Sequence, residues 1–430
     1  MTENTTEIIT RAVLVSADTG EFDAERSLDE LEELSATAGV EVVGRVIQKR
    51  PACDSATVIG SGRLEQLVEE AEALQTNLII FDCELTANQT RNIERILDIR
   101  VIDRTTLILD IFAQRALTKE GRLQVELAQQ KYRLPRLAGK GIELSRLGGG
   151  IGTRGPGESK LETDKRHIRR RIESLEAELK ELERRRELHR ARRKKDNVLS
   201  AAIVGYTNVG KSTLLNALTD AGILAEDKLF ATLDPTTRKY ELPCGESVLL
   251  TDTVGFINKL PHHLVSAFHS TLEEACMADV LLIIIDASDP RFSEQLEVTE
   301  NLLVELGAVG KPTLYVFNKC DRGFAELREI GRSSDADNIA YISALTGQGM
   351  DTLISKLEAI VIEGKRRVTY FIPNSDGGAL NTLYRVATVE DVEYGADGMT
   401  VVALADAKAR GMMKKYALDD APEPKEDWEE

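Results

Sequence analysis

The sequence predicts a multidomain α/β protein. Three observations carry this: two stretches where short apolar runs alternate with amphipathic segments, a highly charged helical stretch between them, and a small strand-rich unit near the end. A chain of 430 residues has room for about two to four domains of ordinary size. Apolar residues make 42% and charged residues 30%, the balance of packed domains with at least one strongly charged surface. The longest apolar run, Val280 to Ile285, has six residues. A membrane-spanning helix needs about 20, so none is expected. Met1-Thr2-Glu3-Asn4 shows no basic start before an apolar stretch, so a secretory signal is not expected and the cytoplasm is. Five cysteines without a Cys-x-x-Cys pair argue against a disulfide framework and a zinc site, and are expected to be reduced and mostly buried.

In residues 1–120, the runs Arg11 to Val15, Glu41 to Ile47, Asn77 to Phe81 and Arg100 to Ile102 read as strands, separated by helical segments such as Ala24 to Thr37 and Arg63 to Leu74. That order predicts a parallel sheet. Gly60-Ser61-Gly62 lies where a helix could begin on an anion, but reads first as a turn.

Residues 121–198 open with a helix from Gly121 to Lys131. Eight glycines then fall within 139–157, among Lys140, Arg146 and Arg154. Such a run cannot bury a core, and a mobile basic loop between two helices is expected. From Lys165 to Lys195, 14 Lys or Arg stand against 6 Asp or Glu, so this stretch is +8 in a chain of net charge -17. Ile168, Ile172, Leu175, Leu179 and Leu182 recur at steps of four and three, one seam of a helix. Two readings stay open: a solvated helix packed on a neighbour, or a rod whose arginines, Arg184-Arg185-Arg186 among them, meet a phosphate backbone.

Residues 199–365 form a second α/β stretch, with strands at Ser200 to Val204, Val248 to Thr251, Val280 to Asp286, Thr313 to Asn318 and Ile339 to Ser343. Residues 366–416 read as a small α+β unit with strands at Arg367 to Phe371, Arg385 to Glu390 and Met399 to Leu404. The acidic end, 417–430, holds the single tryptophan, Trp428, and is expected to be disordered.

One motif carries chemistry. Gly205, Tyr206, Thr207, Asn208, Val209, Gly210, Lys211 and Ser212 follow a strand and open the helix Thr213 to Leu218, the context of a phosphate-binding loop. Backbone N–H groups wrap the β-phosphate, Lys211 neutralises β/γ charge, and the Ser212 hydroxyl is offered to magnesium. Asp252, Thr253, Val254 and Gly255 end another strand, where a carboxylate holds magnesium through water and a glycine N–H meets the γ-phosphate. Asn318, Lys319, Cys320 and Asp321 end a third. A carboxylate there accepts from guanine N1–H and its 2-amino group, which adenine lacks, so guanine is selected over adenine and a P-loop kinase or ATPase is disfavoured. Ser343, Ala344 and Leu345 would bring a backbone N–H near guanine O6. Phe230, Ala231, Thr232, Leu233 and Asp234 supply Thr232 as a second magnesium hydroxyl, held only while the γ-phosphate remains. The expected metal set is Ser212, Thr232 and Asp252; Lys211, Thr232 and Gly255 are the expected catalytic residues; the cofactors are GTP or GDP with Mg2+.

These residues, in this order, resemble the signature of a regulatory GTPase. With FATLDPTTR at 230–238, DTVGF at 252–256 and LGGGIGTRGPGESKLETD at 147–164, nearly the whole chain resembles the HflX family of translational GTPases. The resemblance implies an N-terminal α/β domain with a helical hairpin extension, a Ras-like G domain and a small C-terminal domain. It also implies binding to the large (50S) ribosomal subunit, with the N-terminal region directed toward the peptidyl-transferase centre. Splitting or rescue of stalled ribosomes, or biogenesis, in a stress response would then be the task, and ribosomal RNA the partner of the basic rod.

Where many GTPases place a water-orienting glutamine, this chain has Phe256. Slow intrinsic hydrolysis stimulated by a partner is therefore expected. His262 and His263 read as flanking the helix Leu264 to Cys276 rather than as replacements for that glutamine. No metal triad or covalent nucleophile assembles from the remaining residues. An RNA-binding assembly factor that uses GTP as a structural switch ligand is the alternative. No long apolar heptad seam calls for a dimer, so a monomer is expected, and peripheral membrane association of the basic rod stays open.

Overall fold

The aliphatic runs form the strands that their alternation predicts, in a computed structural model that describes residues 10–137, 156–195, 199–219, 228–259, 274–323, 338–363, 365–405 and 407–418. β1 (Arg11–Asp18), β2 (Glu41–Lys49), β3 (Leu78–Phe81) and β4 (Arg100–Asp103) make an all-parallel sheet ordered β2-β1-β3-β4. Every residue of β3 is buried, as an inner parallel strand covered on both faces requires. The crossovers run through α1 (Ala24–Thr37), α2 (Ser61–Ala73) and α3 (Ala87–Leu97), and α4 (Arg104–Arg115) follows β4. Asp23, Thr86 and Asp103 each accept a first-turn amide and so begin α1, α3 and α4. Gly60 is the residue before α2 and donates its N–H to Gln48 Oε1 of β2 at 2.7 Å.

α5 (Lys119–Arg136) runs beyond the expected Gly121 to Lys131, and α6 (Pro156–Lys195) is a 40-residue helix. Pro156 opens α6, so Gly157 is helical rather than part of a loop. The expected seam packs on α5: Leu175 is fully buried among Leu123 and Leu127, with Ile172, Leu179 and Leu182 beside them, whereas Ile168 lies outside this cluster. Arg171 pairs with Glu126 at 2.6 Å and Lys131 with Glu176 at 2.8 Å across the same contact. The mobile-loop expectation for 139–155, including Lys140, Arg146 and Arg154, lies outside the described residues.

The second sheet holds β5 (Leu199–Gly205), β6 (Thr236–Glu241), β7 (Ser247–Asp252), β8 (Val280–Asp286), β9 (Thr313–Asn318) and β10 (Ile339–Tyr341). Its order is β10-β9-β8-β5-β7-β6, parallel except for β6 against β7. α7 (Lys211–Thr219), α8 (Phe292–Glu305) and α9 (Met350–Ile362) accompany it. β11 (Arg366–Pro373), β12 (Thr388–Tyr394) and β13 (Gly398–Ala405) form an antiparallel sheet ordered β11-β13-β12, with α10 (Gly378–Val386) and α11 (Ala407–Met413). The expected strand Arg385 to Glu390 is corrected here: Arg385 and Val386 end α10, where Leu383 packs into the core of this unit, and the strand begins at Thr388.

The described residues fall into two compact units. One contains 10–185 with the described parts of 224–234 and 254–273; the other contains the rest. Among the described residues, no helix is long and apolar enough to cross a membrane. The cysteines are all free, but the expectation that they are mostly buried is corrected: Cys53 is exposed and Cys83, Cys244, Cys276 and Cys320 are half-buried, because Cys83, Cys244 and Cys320 sit in turns or just past strand ends and Cys276 in a helical turn, rather than in the sheet cores. The expected helix after His262 and His263 lies outside the description up to residue 273, as does the acidic tail from residue 419.

Candidate active site

The loop from Gly205 to Ser212 joins β5 to α7 at the carboxyl edge of the sheet, where ligands of open α/β sheets collect. Asn208 and Gly210 adopt positive φ, 61° and 94°, and turn the chain around the future phosphate. A Cβ on Gly210 would overlap Asn318 Nδ2. The Thr207 hydroxyl is buried and has no hydrogen-bond partner among the described residues.

Lys211 is buried and donates to the loop carbonyls of Tyr206 at 2.7 Å and Gly205 at 3.1 Å. Burial pulls its pKa down to about 8, opposed only in part by the charge of Asp252. Asp252 ends β7, is fully buried, and accepts from Ser212 Oγ at 2.6 Å. Neighbouring Thr253 is also fully buried and donates to the Ile203 carbonyl at 2.8 Å. Ser212 and Asp252 thus offer hard oxygens side by side, which suits magnesium: it takes one or two protein oxygens beside phosphates and water. They would hold the ion, and the ion would neutralise charge between β- and γ-phosphates.

Asn318, 2% exposed, is a strut: its Nδ2 donates to the Val209 carbonyl at 2.8 Å and its Oδ1 accepts the Ala344 N–H at 2.9 Å. The phosphate loop and the segment Ser343 to Leu345 are tied through one amide side chain. The Ala344 N–H expected near guanine O6 is thus engaged by Asn318. Lys319, at φ 62°, pairs with Asp286 at 2.8 Å, and Asp321 lies exposed on the 3-10 turn Cys320–Arg322. Ser343 is fully buried and Leu345 exposed. Asp286 was missed by sequence reasoning; its signal is only that it ends β8 in register with Asn318.

The remaining expected residues belong to the other compact unit. Thr232 is half-buried between Phe230 and Leu233, both buried. Asp234 accepts the N–H of Leu117 and Thr118 at the start of α5. Val254, Gly255 and Phe256 are buried, and the aromatic ring of Phe256 offers no group to orient water.

Three family profiles match this chain: "GTP-binding GTPase N-terminal" over residues 25–113, "GTP-binding GTPase Middle Region" over 115–193, and "50S ribosome-binding GTPase" over 200–319. A "GTPase HflX" of Caldanaerobacter subterraneus subsp. tengcongensis is 49% identical over 408 residues, covering 95% of this chain and 94% of that one. Another, of Lacrimispora saccharolytica, is 51% identical over 398 residues, covering 92% and 94%. The chain belongs to the HflX family of GTPases. Among solved structures, a GTP-binding protein from Sulfolobus solfataricus in complex with GDP is similar over 83% of this chain and 99% of that one, at 26% identity and a TM-score of 0.43. This HflX-family chain is a GTP hydrolase working with GTP, GDP and Mg2+.

Proposed function

We propose that this GTPase acts on the large (50S) ribosomal subunit, as a splitting, rescue or biogenesis factor whose attachment follows its nucleotide. Hydrolysis of GTP to GDP and phosphate then ends each round. Lys211 neutralises the β/γ phosphates, Ser212, Thr232 and Asp252 serve the magnesium, and the Gly255 amide meets the γ-phosphate. Asp321 selects guanine.

The observation that carries the reading is the coexistence, in one chain, of the nucleotide loop and α6. Arg184 and Arg185 are exposed on that helix and, among the described residues, pair with Glu181, at 3.0 and 3.1 Å. Exposed pairs of this kind are weak and exchange readily for phosphates. A family profile whose description names 50S ribosome binding over residues 200–319 supports the same partner. The partner places the protein in the cytoplasm, and the rod and glycine run are its RNA-facing parts near the peptidyl-transferase centre.

Steady-state GTP turnover with and without purified 50S subunits tests this. Stimulation is expected within the range of about 10³ to 10⁵ known for groups supplied in trans. Equal rates, or equal retention of empty, GDP and GTP forms by the subunit, would refute it.

A further inference from the structure

Lys319 stands in the left-handed region, at φ 62° and ψ 30°, a conformation uncommon for a long side chain, which persists where surrounding contacts enforce it. Its consequence for the nucleotide site is local. The Lys319 carbonyl accepts the Arg322 N–H at 2.9 Å, the bond that closes the 3-10 turn Cys320–Arg322 around Asp321. At the start of the same turn the Cys320 N–H donates to the Ile342 carbonyl at 3.1 Å. The direction in which Lys319 leaves β9 therefore sets where this turn lies, and with it Asp321.

Asp286 holds the far end of that lysine. Its Oδ2 lies 2.8 Å from Lys319 Nζ, and the two side chains are 13% and 17% exposed, against 46% and 63% for the Glu181–Arg184 pair of α6. Screening by solvent is correspondingly weaker. The other carboxylate oxygen is fixed too: Oδ1 accepts the Ser288 N–H at 3.0 Å and the Ser288 hydroxyl at 2.6 Å, so the turn after β8 holds the acid in one orientation. Asp286 stands opposite Asn318 in the parallel pairing of β8 with β9, and the Ala287 N–H donates to the Asn318 carbonyl at 2.9 Å. The strand ends that carry the acid and the lysine are thus locked in register. A half-enclosed ion pair adds little to stability, because desolvation offsets the attraction. What it fixes is geometry.

We propose that Asp286 is a positioning residue for guanine recognition. By holding the Lys319 ammonium it keeps that residue left-handed, and the carbonyl so directed closes the turn that presents Asp321 to the N1–H and 2-amino group of the base. The proposal rests on the guanine-selecting role given above to Asp321. A carboxylate already fixed before the base arrives loses less conformational freedom on binding, and a misplaced one discriminates less.

Equilibrium binding of GDP and of inosine diphosphate, which lacks the 2-amino group, to the full-length protein tests this, with the melting temperature followed in each variant. Asp286→Asn keeps an acceptor for Ser288 and removes the charge. It is expected to weaken GDP binding by about tenfold and to cut the preference for GDP over inosine diphosphate by about threefold. In a Lys319→Gly background, where the left-handed conformation needs no support, the same Asp286→Asn change should weaken GDP binding by less than about twofold. Asp321→Ala is the reference and should abolish the preference. If it does so while Asp286→Asn leaves the preference unchanged, positioning is refuted and the guanine reading stands. If Asp321→Ala leaves the preference intact, the role of Asp321 fails and takes the proposal with it. A loss in Asp286→Asn that persists in full in the Lys319→Gly background, or that falls equally on both nucleotides with a lower melting temperature, would make the contact structural and also refute positioning.

Discussion

Raising the pH from 7 to 9 should weaken GTP binding to the nucleotide-free protein by about tenfold. The cause is Lys211, whose buried ammonium rests on two carbonyls and has its pKa pulled down to about 8. In the complex, β- and γ-phosphate charge holds the proton, and the pKa rises well above that value. The complex therefore keeps a proton that the empty loop releases above pH 8, and binding takes one up there. At pH 9, one unit above this pKa, about one empty loop in eleven remains protonated, against about nine in ten at pH 7, which yields the tenfold loss. Guanine begins to lose its own N1 proton near pH 9, so higher pH adds a loss that is not due to Lys211. Titration calorimetry in two buffers of different ionisation enthalpy measures the uptake directly, with about 0.9 proton expected at pH 9 and about 0.1 at pH 7. Lys211→Arg, which stays charged, should abolish the difference. Affinity and proton uptake that are flat from pH 7 to 9 would refute the buried-ammonium argument. For the empty protein the sign is the same in origin: the unfolded chain binds more protons than the folded one above pH 8, so this group makes stability rise with pH until the ordinary lysine value is passed.

Asp321→Asn should move preference from GTP toward xanthosine triphosphate by about two orders of magnitude in competition binding, because an amide donates to the carbonyl that replaces guanine's amino group. An unchanged guanine preference would contradict the role of Asp321. Arg104→Met removes a cation whose side chain is 3% exposed and leaves Asp82 and Glu30 short of a partner. A loss of about 3 kcal/mol in urea unfolding is expected, and a loss below about 1 kcal/mol would show that Lys259 suffices for the cluster. Replacing Arg184, Arg185 and Arg186 with Gln should lower affinity for the large subunit and reduce the salt slope by about 2. Lower affinity with an unaltered slope would place those arginines away from phosphates.

The parallel strands of the first sheet and the inner strands of the second were readable because burial on both faces demands unbroken aliphatic runs, as in Leu78–Phe81 and Val280–Asp286. β6, Thr236–Glu241, escaped for the opposite reason. It is a polar edge strand with no apolar alternation, and its pairing to β7 supplies what its own sequence lacks. The misplaced strand at Arg385 arose where a short helix and a strand abut, since Leu383 and Val389 suit either period. The half-buried cysteines show that residue type is a weak guide to depth at strand ends.

The sequence alone determined the phosphate loop, since its geometry is set by eight consecutive residues whose glycines, lysine and hydroxyls act on one another locally. The seam of α6 was likewise local, a matter of helical repeat. Only tertiary structure decided that Asn318 braces Val209 and Ala344, that Asp234 ends on the amino end of α5, and that Lys259 finds Asp82 across 177 residues. A charge in a linear sequence has many possible partners; which one it meets follows from how the strands are ordered and where the helices return.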